Sequence, residues 1–216
     1  TRAAFDCLTQ VDSIVIDPHK HGLQPYGCGC ILFKDPSVGK FYKHDSPYTY
    51  FSSEEFHLGE ISLECSRPGS SAVALWATQR LLPLIPGGEF AAYLSKSRTA
   101  ALTLFEKLQS DPRFIVPFQP QLDIVVWAVK SPSASESSRL AKEIFAVAAQ
   151  ENLHLALVNV SKKLFLETGA EIDWDLDSIT CVRSCLMKPE HLDWLDVIWQ
   201  TLDLVTTKVL KEAVYS

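Results

Sequence analysis

Along this chain the apolar positions change rhythm, and the change divides it. Ser13-Ile14-Val15-Ile16-Asp17 is an unbroken apolar run closed by polar residues, the pattern of a strand covered on both faces. A turn through Pro25-Tyr26-Gly27 leads to a second such run, Gly29-Cys30-Ile31-Leu32-Phe33-Lys34. Residues 35–62 hold Pro36, Gly39, Pro47 and many aromatics without any period, which predicts a long loop. A loop of that length inside a compact domain is usually functional.

From Gly69 the period is helical. Ser70 or Ser71 can cap a helix through Ala72, Leu75, Trp76 and Leu81-Leu82, which Pro83, Pro86 and Gly87-Gly88 break. A second helix covers 89–108, and strands follow at 114–116 and 122–127. Beyond the turn Ser131-Pro132-Ser133, the spacing of Leu140, Ile144, Val147 and Ala148 predicts an amphipathic helix over 135–150. Strands at 154–158 and 179–183 precede a last helix that opens near Pro189, a good first-turn residue. That helix aligns Leu192, Leu195, Ile198, Leu202, Val205 and Val209 on one face, and Trp194 and Trp199 read as part of its core side. There is no internal repeat. The domain boundary falls between Pro83 and Gly88, giving a sheet-rich part, 1–84, and an α+β part, 85–216.

Composition narrows the function classes. With 47% hydrophobic and 21% charged residues the chain has ordinary globular usage, not that of a disordered or collagen-like one. A net charge of −6 and a pI near 5.5 leave no basic footprint for nucleic acid or an anionic membrane. No apolar run approaches the ~20 residues of a membrane span. Six cysteines without a Cys-x-x-Cys pair are too sparse for a disulfide scaffold. Cys28, Cys30, His57 and Cys65 do not make a zinc set, because Cys28 and Cys30 alternate along a strand and point to opposite faces. The chain reads as a cytoplasmic α/β protein. It starts without Met and without an apolar signal core, which predicts that it is part of a longer protein.

The chemistry concentrates at Asp17-Pro18-His19-Lys20-His21-Gly22, at the C-terminal end of the first strand. In open α/β sheets ligands bind at that end. A lysine held there near low-dielectric surroundings favours its neutral amine, which attacks carbonyls. The plain alternative is a solvated loop lysine between two exposed histidines, and spacing alone does not separate the two.

The segment 12–29, Asp-Ser-Ile-Val-Ile-Asp-Pro-His-Lys-His-Gly-Leu-Gln-Pro-Tyr-Gly-Cys-Gly, resembles the lysine segment of the group II pyridoxal-phosphate-dependent amino-acid decarboxylases. Leu63-Glu64-Cys65-Ser66-Arg67-Pro68 with Ala74-Leu75-Trp76 resembles that family's Ser-Arg…Leu-Trp signature. The likeness covers essentially the whole chain, as roughly the C-terminal half of a family member. It implies the end of the large-domain sheet of a fold-type-I transferase in 1–84 and a small C-terminal α+β domain in 85–216. It also implies decarboxylation of an L-amino acid to its amine. A related lyase or aldehyde synthase, or a catalytically incompetent fragment acting through a partner, are the alternatives.

Carried over by residue, Lys20 is the lysine that forms the internal aldimine with pyridoxal phosphate, and His19 helps hold the cofactor's phosphate and ring. Asp17 stands where relatives often have Asn. A carboxylate beside a phosphate is unfavourable unless it is protonated or turned onto a donor, and a turn cap is its alternative role. In the loop 43–53, Asp45-Ser46-Pro47-Tyr48 resembles the mobile segment whose tyrosine returns a proton to Cα; Tyr50 is the rival. Ser66 and Arg67 resemble a turn that reaches the cofactor phosphate of the other subunit. Arg183 resembles an arginine that binds the substrate α-carboxylate, with a structural ion pair as the alternative. The likeness further implies a homodimer, and an N-terminal half of the same protein that supplies the ring stack and the acid opposite the pyridine nitrogen.

Overall fold

The computed structural model describes residues 2–43, 69–169 and 171–214. They fall into two compact units, Thr1–Leu84 and Ile85–Ser216.

In the first unit a short helix, α1 (Arg2–Asp6), leads into β1 (Ser13–Ile16), which pairs antiparallel with β2 (Cys30–Phe33). Ser13 faces Phe33 and Ile16 faces Cys30. Both strands lie inside the apolar runs, but neither is covered on two faces. Val15 is 71% exposed and Ile31 54%. Among the described residues the pair has no neighbour to bury a second face, and such ribbons are marginal by themselves. Part of the stretch expected as loop is ordered as a 3-10 turn, Pro36–Phe41, because Pro36 presets its first position and the Asp35 carboxylate accepts the Ser37 amide at 2.9 Å. The helix after residue 69 is α2 (Ser70–Leu81). Neither serine caps it: Gly69 occupies the cap position, and no side chain there accepts a hydrogen bond.

Among the described residues the second unit is a four-stranded antiparallel sheet with three long helices. Its strands are β3 (Phe114–Ile115), β4 (Ile124–Val129), β5 (Ala156–Ser161) and β6 (Ser178–Cys185), in spatial order β3-β4-β6-β5. The helices are α3 (Glu89–Ser110), α4 (Ala134–Gln150) and α5 (Leu195–Val214). Strand alternation sorts the core. Val125, Trp127, Val129 and Val182 join Leu104, Leu108, Ile144, Leu202 and Val205 of the helices in one cluster. Val126, Ala128, Ile179 and Cys181 gather around Phe165 in another. Each large side chain so buried contributes roughly 1.5–3 kcal/mol. Trp127 is fully buried and donates its indole N–H to Ser184 Oγ at 3.1 Å. Burial pushes the Cys181 thiol up to about 12.

The helix termini follow local chemistry. Ser133 Oγ accepts the Glu136 amide at 3.2 Å and opens α4. Pro189 opens a separate 3-10 turn, Pro189–His191, so α5 begins only at Leu195. The helical period therefore does not govern Trp194. It is 56% exposed, a correction to its placement on the core side, whereas Trp199 packs 6.4 Å from the Phe114 ring. Arg113 ties the start of β3 to α5, reaching Asp111 at 2.5 Å, Asp203 at 2.6 Å and Thr207 Oγ1 at 3.0 Å. No helix among the described residues is long and apolar enough to cross a membrane.

Candidate active site around Lys20

The lysine turn follows directly from the end of β1. The Lys20 amide donates to Asp17 O at 3.0 Å, and the Gln24 amide returns to Pro18 O at 3.1 Å. Gly22 is required by this closure. A Cβ there would sit 2.6 Å from Pro18 O and 2.7 Å from Pro18 Cα, closer than any real side chain packs against backbone. Leu23 takes a left-handed conformation, φ 59°, at a cost of about 1–2 kcal/mol.

Asp17, His19 and Lys20 therefore share one rigid turn. Lys20 Nζ donates to Asp17 Oδ2 at 2.5 Å, and this bond holds the Asp17 carboxyl below its usual range. The carboxylate is ionised and turned onto a cationic donor, and it does not cap the turn: the Lys20 amide goes to the Asp17 carbonyl instead. His19 Nδ1 lies 3.3 Å from the Cys28 carbonyl. A carbonyl only accepts, so Nδ1 is the donor in this contact and Nε2 takes no part in it. The His19 ring also stacks on Tyr26, with centroids 5.0 Å apart and planes 25° apart. The Lys20 side chain is 57% exposed. Among the described residues, then, the low-dielectric setting expected at a strand end is absent, and the amine is reachable from solvent.

Two contacts that the sequence did not reveal anchor this loop on α2. Gln24, 8% exposed, donates Nε2 to Gly22 O at 3.1 Å and to Thr78 Oγ1 at 2.7 Å. Its Oε1 is buried with no donor among the described residues, a situation that costs roughly 1–3 kcal/mol. The buried Cys28 points Sγ at Ser71 O, 3.8 Å away. The only sequence signal was the punctuation by Gly22 and Pro25. Nothing local marks a glutamine whose partner lies 54 residues on.

Arg183 lies in the second unit, on β6, facing Val126 on one side and Ala156 on the other. Its Nε is buried and has no hydrogen-bond partner among the described residues, so the structural ion pair weighed against substrate binding is not formed by that nitrogen. Tyr48, Tyr50, Ser66 and Arg67 lie outside the described residues.

No family model matches the chain. An L-tyrosine decarboxylase of Enterococcus faecium is 37% identical over 82 residues, which are 37% of this chain and 13% of that protein. An aspartate 1-decarboxylase of Aliivibrio fischeri is 26% identical over 168 residues, 78% of this chain and 30% of the other. A match that long necessarily crosses from the first unit into the second. The Oryza sativa TDC, crystallised with PLP and tryptamine, superposes with a TM-score of 0.75 over 96% of this chain and 41% of its own, at 16% identity. The sequence matches are to L-tyrosine and aspartate decarboxylases, and the structural neighbours are pyridoxal-phosphate-dependent decarboxylases. The chain spans well under half the length of those proteins and matches their C-terminal part. The likeness to the rice enzyme is one of fold. The architecture is mixed α/β, that of the C-terminal part of fold type I.

Proposed function

We propose that this chain is the C-terminal part of a pyridoxal-phosphate-dependent enzyme that decarboxylates an L-amino acid to its amine. The observation that carries the reading is the Lys20 turn: an accessible primary amine on a rigid strand-end loop, next to an oriented imidazole. That donor set fits the cofactor, since an amine takes its carbonyl carbon and an imidazole suits its ring or phosphate. Pyridoxal phosphate, when bound, supplies the electron sink that receives the electron pair left on Cα as the carboxylate departs as carbon dioxide.

The chain's own residues have separate tasks. Lys20 holds the cofactor through its amine and gives way to the substrate amine. Asp17 orients the Lys20 side chain, and the Cys28 carbonyl holds His19 through Nδ1, which leaves Nε2 for the cofactor. Ser66 is assigned to the cofactor phosphate and Tyr48 to the proton that Cα receives. Arg183, with an uncommitted buried Nε, is assigned to the substrate carboxylate, which its planar fork suits. The partners of the reading are an N-terminal half of the same protein and a second copy in a homodimer.

The test is reduction of the cofactor-loaded protein with borohydride, peptide mapping, and product analysis over a panel of amino acids. Cofactor fixed on Lys20 with amine released supports the reading. Cofactor fixed on another lysine, with Lys20 unmodified, overturns it. Tyr48→Phe in the same assay separates decarboxylation from aldehyde formation: loss of amine with aldehyde and peroxide appearing assigns the proton to Tyr48. The same result from Tyr50→Phe alone assigns it to Tyr50.

A further inference from the structure

The Lys20 turn is held from outside itself. A hydrogen bond between side chains joins it to α2, from Gln24 Nε2 to Thr78 Oγ1 at 2.7 Å. Thr78 Oγ1 spends its own proton on Ala74 O at 3.0 Å, within the helix. The hydroxyl therefore faces Gln24 as an acceptor, and the orientation of the Gln24 carboxamide is fixed. The same Nε2 grips Gly22 O, and the Gln24 amide grips Pro18 O, the two ends of the segment that contains His19 and Lys20. Gly22 in turn lies against the Pro18 backbone with no room for a Cβ. A displacement of the carboxamide is thus passed to Pro18 and Gly22 through short, stiff contacts. The side chain is more than nine-tenths buried, while the lysine it braces is largely exposed.

We propose that Gln24 is a positioning residue for Lys20, with Thr78 as its fixed point on α2. The inference rests on Lys20 being the cofactor-bearing lysine. Gln24 touches neither substrate nor cofactor in this assignment; it sets where the amine stands and how often the turn presents it. A side chain that only stabilised the fold would alter melting and leave the reactivity of Lys20 unchanged in the folded protein.

The experiment uses the full protein with pyridoxal phosphate and reads two quantities: the rate at which borohydride-fixed cofactor accumulates on Lys20, and the pH midpoint of the cofactor's visible band. Thr78→Val keeps the side-chain volume and removes the acceptor, Thr78→Ser restores it, and Gln24→Leu removes the donor. Losing one such hydrogen bond corresponds to a change of roughly 2–10-fold in the labelling rate. Thr78→Val and Gln24→Leu are each expected to slow labelling by that factor and to move the band midpoint. The double variant should be no slower than the slower single one, because both break the same bond. Thr78→Ser should label at the parent rate. If Gln24→Leu fails to fold, the Thr78→Val and Thr78→Ser pair decides alone. Folded Thr78→Val with the parent's rate and midpoint overturns the positioning role while leaving Lys20 as the cofactor lysine. A parent protein that labels elsewhere overturns the functional reading, and this inference with it.

Discussion

Lys20 and Asp17 pair within a single turn, Nζ to Oδ2 at 2.5 Å, and the backbone amide of the same lysine closes on the Asp17 carbonyl. A side chain held against Asp17 in this way must leave that carboxylate before its nitrogen can reach a carbonyl. Asp17→Asn is therefore expected to capture pyridoxal phosphate severalfold faster near neutral pH, measured by growth of the visible band. Removing a carboxylate also relieves repulsion of the cofactor phosphate, so pyridoxal without its phosphate separates the two causes. If pairing is responsible, the acceleration persists with pyridoxal; if it vanishes, repulsion was the cause. The acid limb follows from the depressed Asp17 pKa. The pair's contribution is present above the ordinary value of 3.8 and is lost as pH falls through the lower folded value. Asp17→Asn should show no such loss on melting between those values.

Gly22→Ala tests the geometry of the turn by another route. The added Cβ would meet Pro18 O at 2.6 Å, and backbone cannot step aside as a side-chain tip can. Such overpacking costs about 1–3 kcal/mol. The expected result is a lower melting temperature together with a greater loss of cofactor binding than destabilisation alone explains, because Pro18 and Lys20 shift together. A variant that binds cofactor as the parent does would show that the turn tolerates rearrangement.

What could be read from the sequence was local. The apolar runs placed β1 and β2, and helical spacing placed α2 to α5, because burial of alternating or every-third-or-fourth positions writes itself into the chain. The lysine turn was legible through Asp17-Pro18-His19-Lys20 and its punctuation. Coverage was not: whether Val15 and Ile31 are buried depends on strands that are not their sequence neighbours. Long-range polar contacts were also hidden. Gln24 finds Thr78, and Arg113 finds Asp203, through the fold alone. Trp194 was misplaced because a proline that starts a 3-10 turn looks the same as one that starts an α-helix.

The Arg113 cluster gives a stability prediction independent of the active site. The Asp111 side chain, 14% exposed, and that of Arg113, 25% exposed, form a forked pair that Asp203 and Thr207 complete from α5. Hydrogen bonds to charged groups contribute about 1.5–3 kcal/mol, so Arg113→Met should lower unfolding free energy by about that amount in urea titration. Arg113 holds the Asp111 carboxyl below its ordinary 3.8. The contribution is therefore complete above that pH and disappears as pH falls through the folded value. The difference between parent and Arg113→Met should shrink in acid and be flat from neutral to mildly alkaline pH. A gap that stays constant into strong acid would show that packing of the Arg113 stem, not its charge, is responsible.

Arg183 offers the sharpest test of substrate recognition. On β6 it shares a sheet face with Val126 and Ala156, and its buried Nε has no acceptor among the described residues. A buried guanidinium nitrogen left unpaired is unfavourable unless an anion completes it, and the substrate α-carboxylate is the anion that the proposed reaction brings. Arg183→Gln keeps a polar side chain but loses the charge and the fork. The expected result is a KM for the amino acid raised by roughly 10–100-fold, the equivalent of one charge-assisted contact. Inhibition by the amine product, which lacks the carboxylate, should be unchanged, and Arg183→Lys should recover only part of the loss because an ammonium cannot make the forked contact. A purely structural arginine predicts the opposite pattern: amino acid and amine would weaken together, the melting temperature would fall, and lysine would do no better than glutamine.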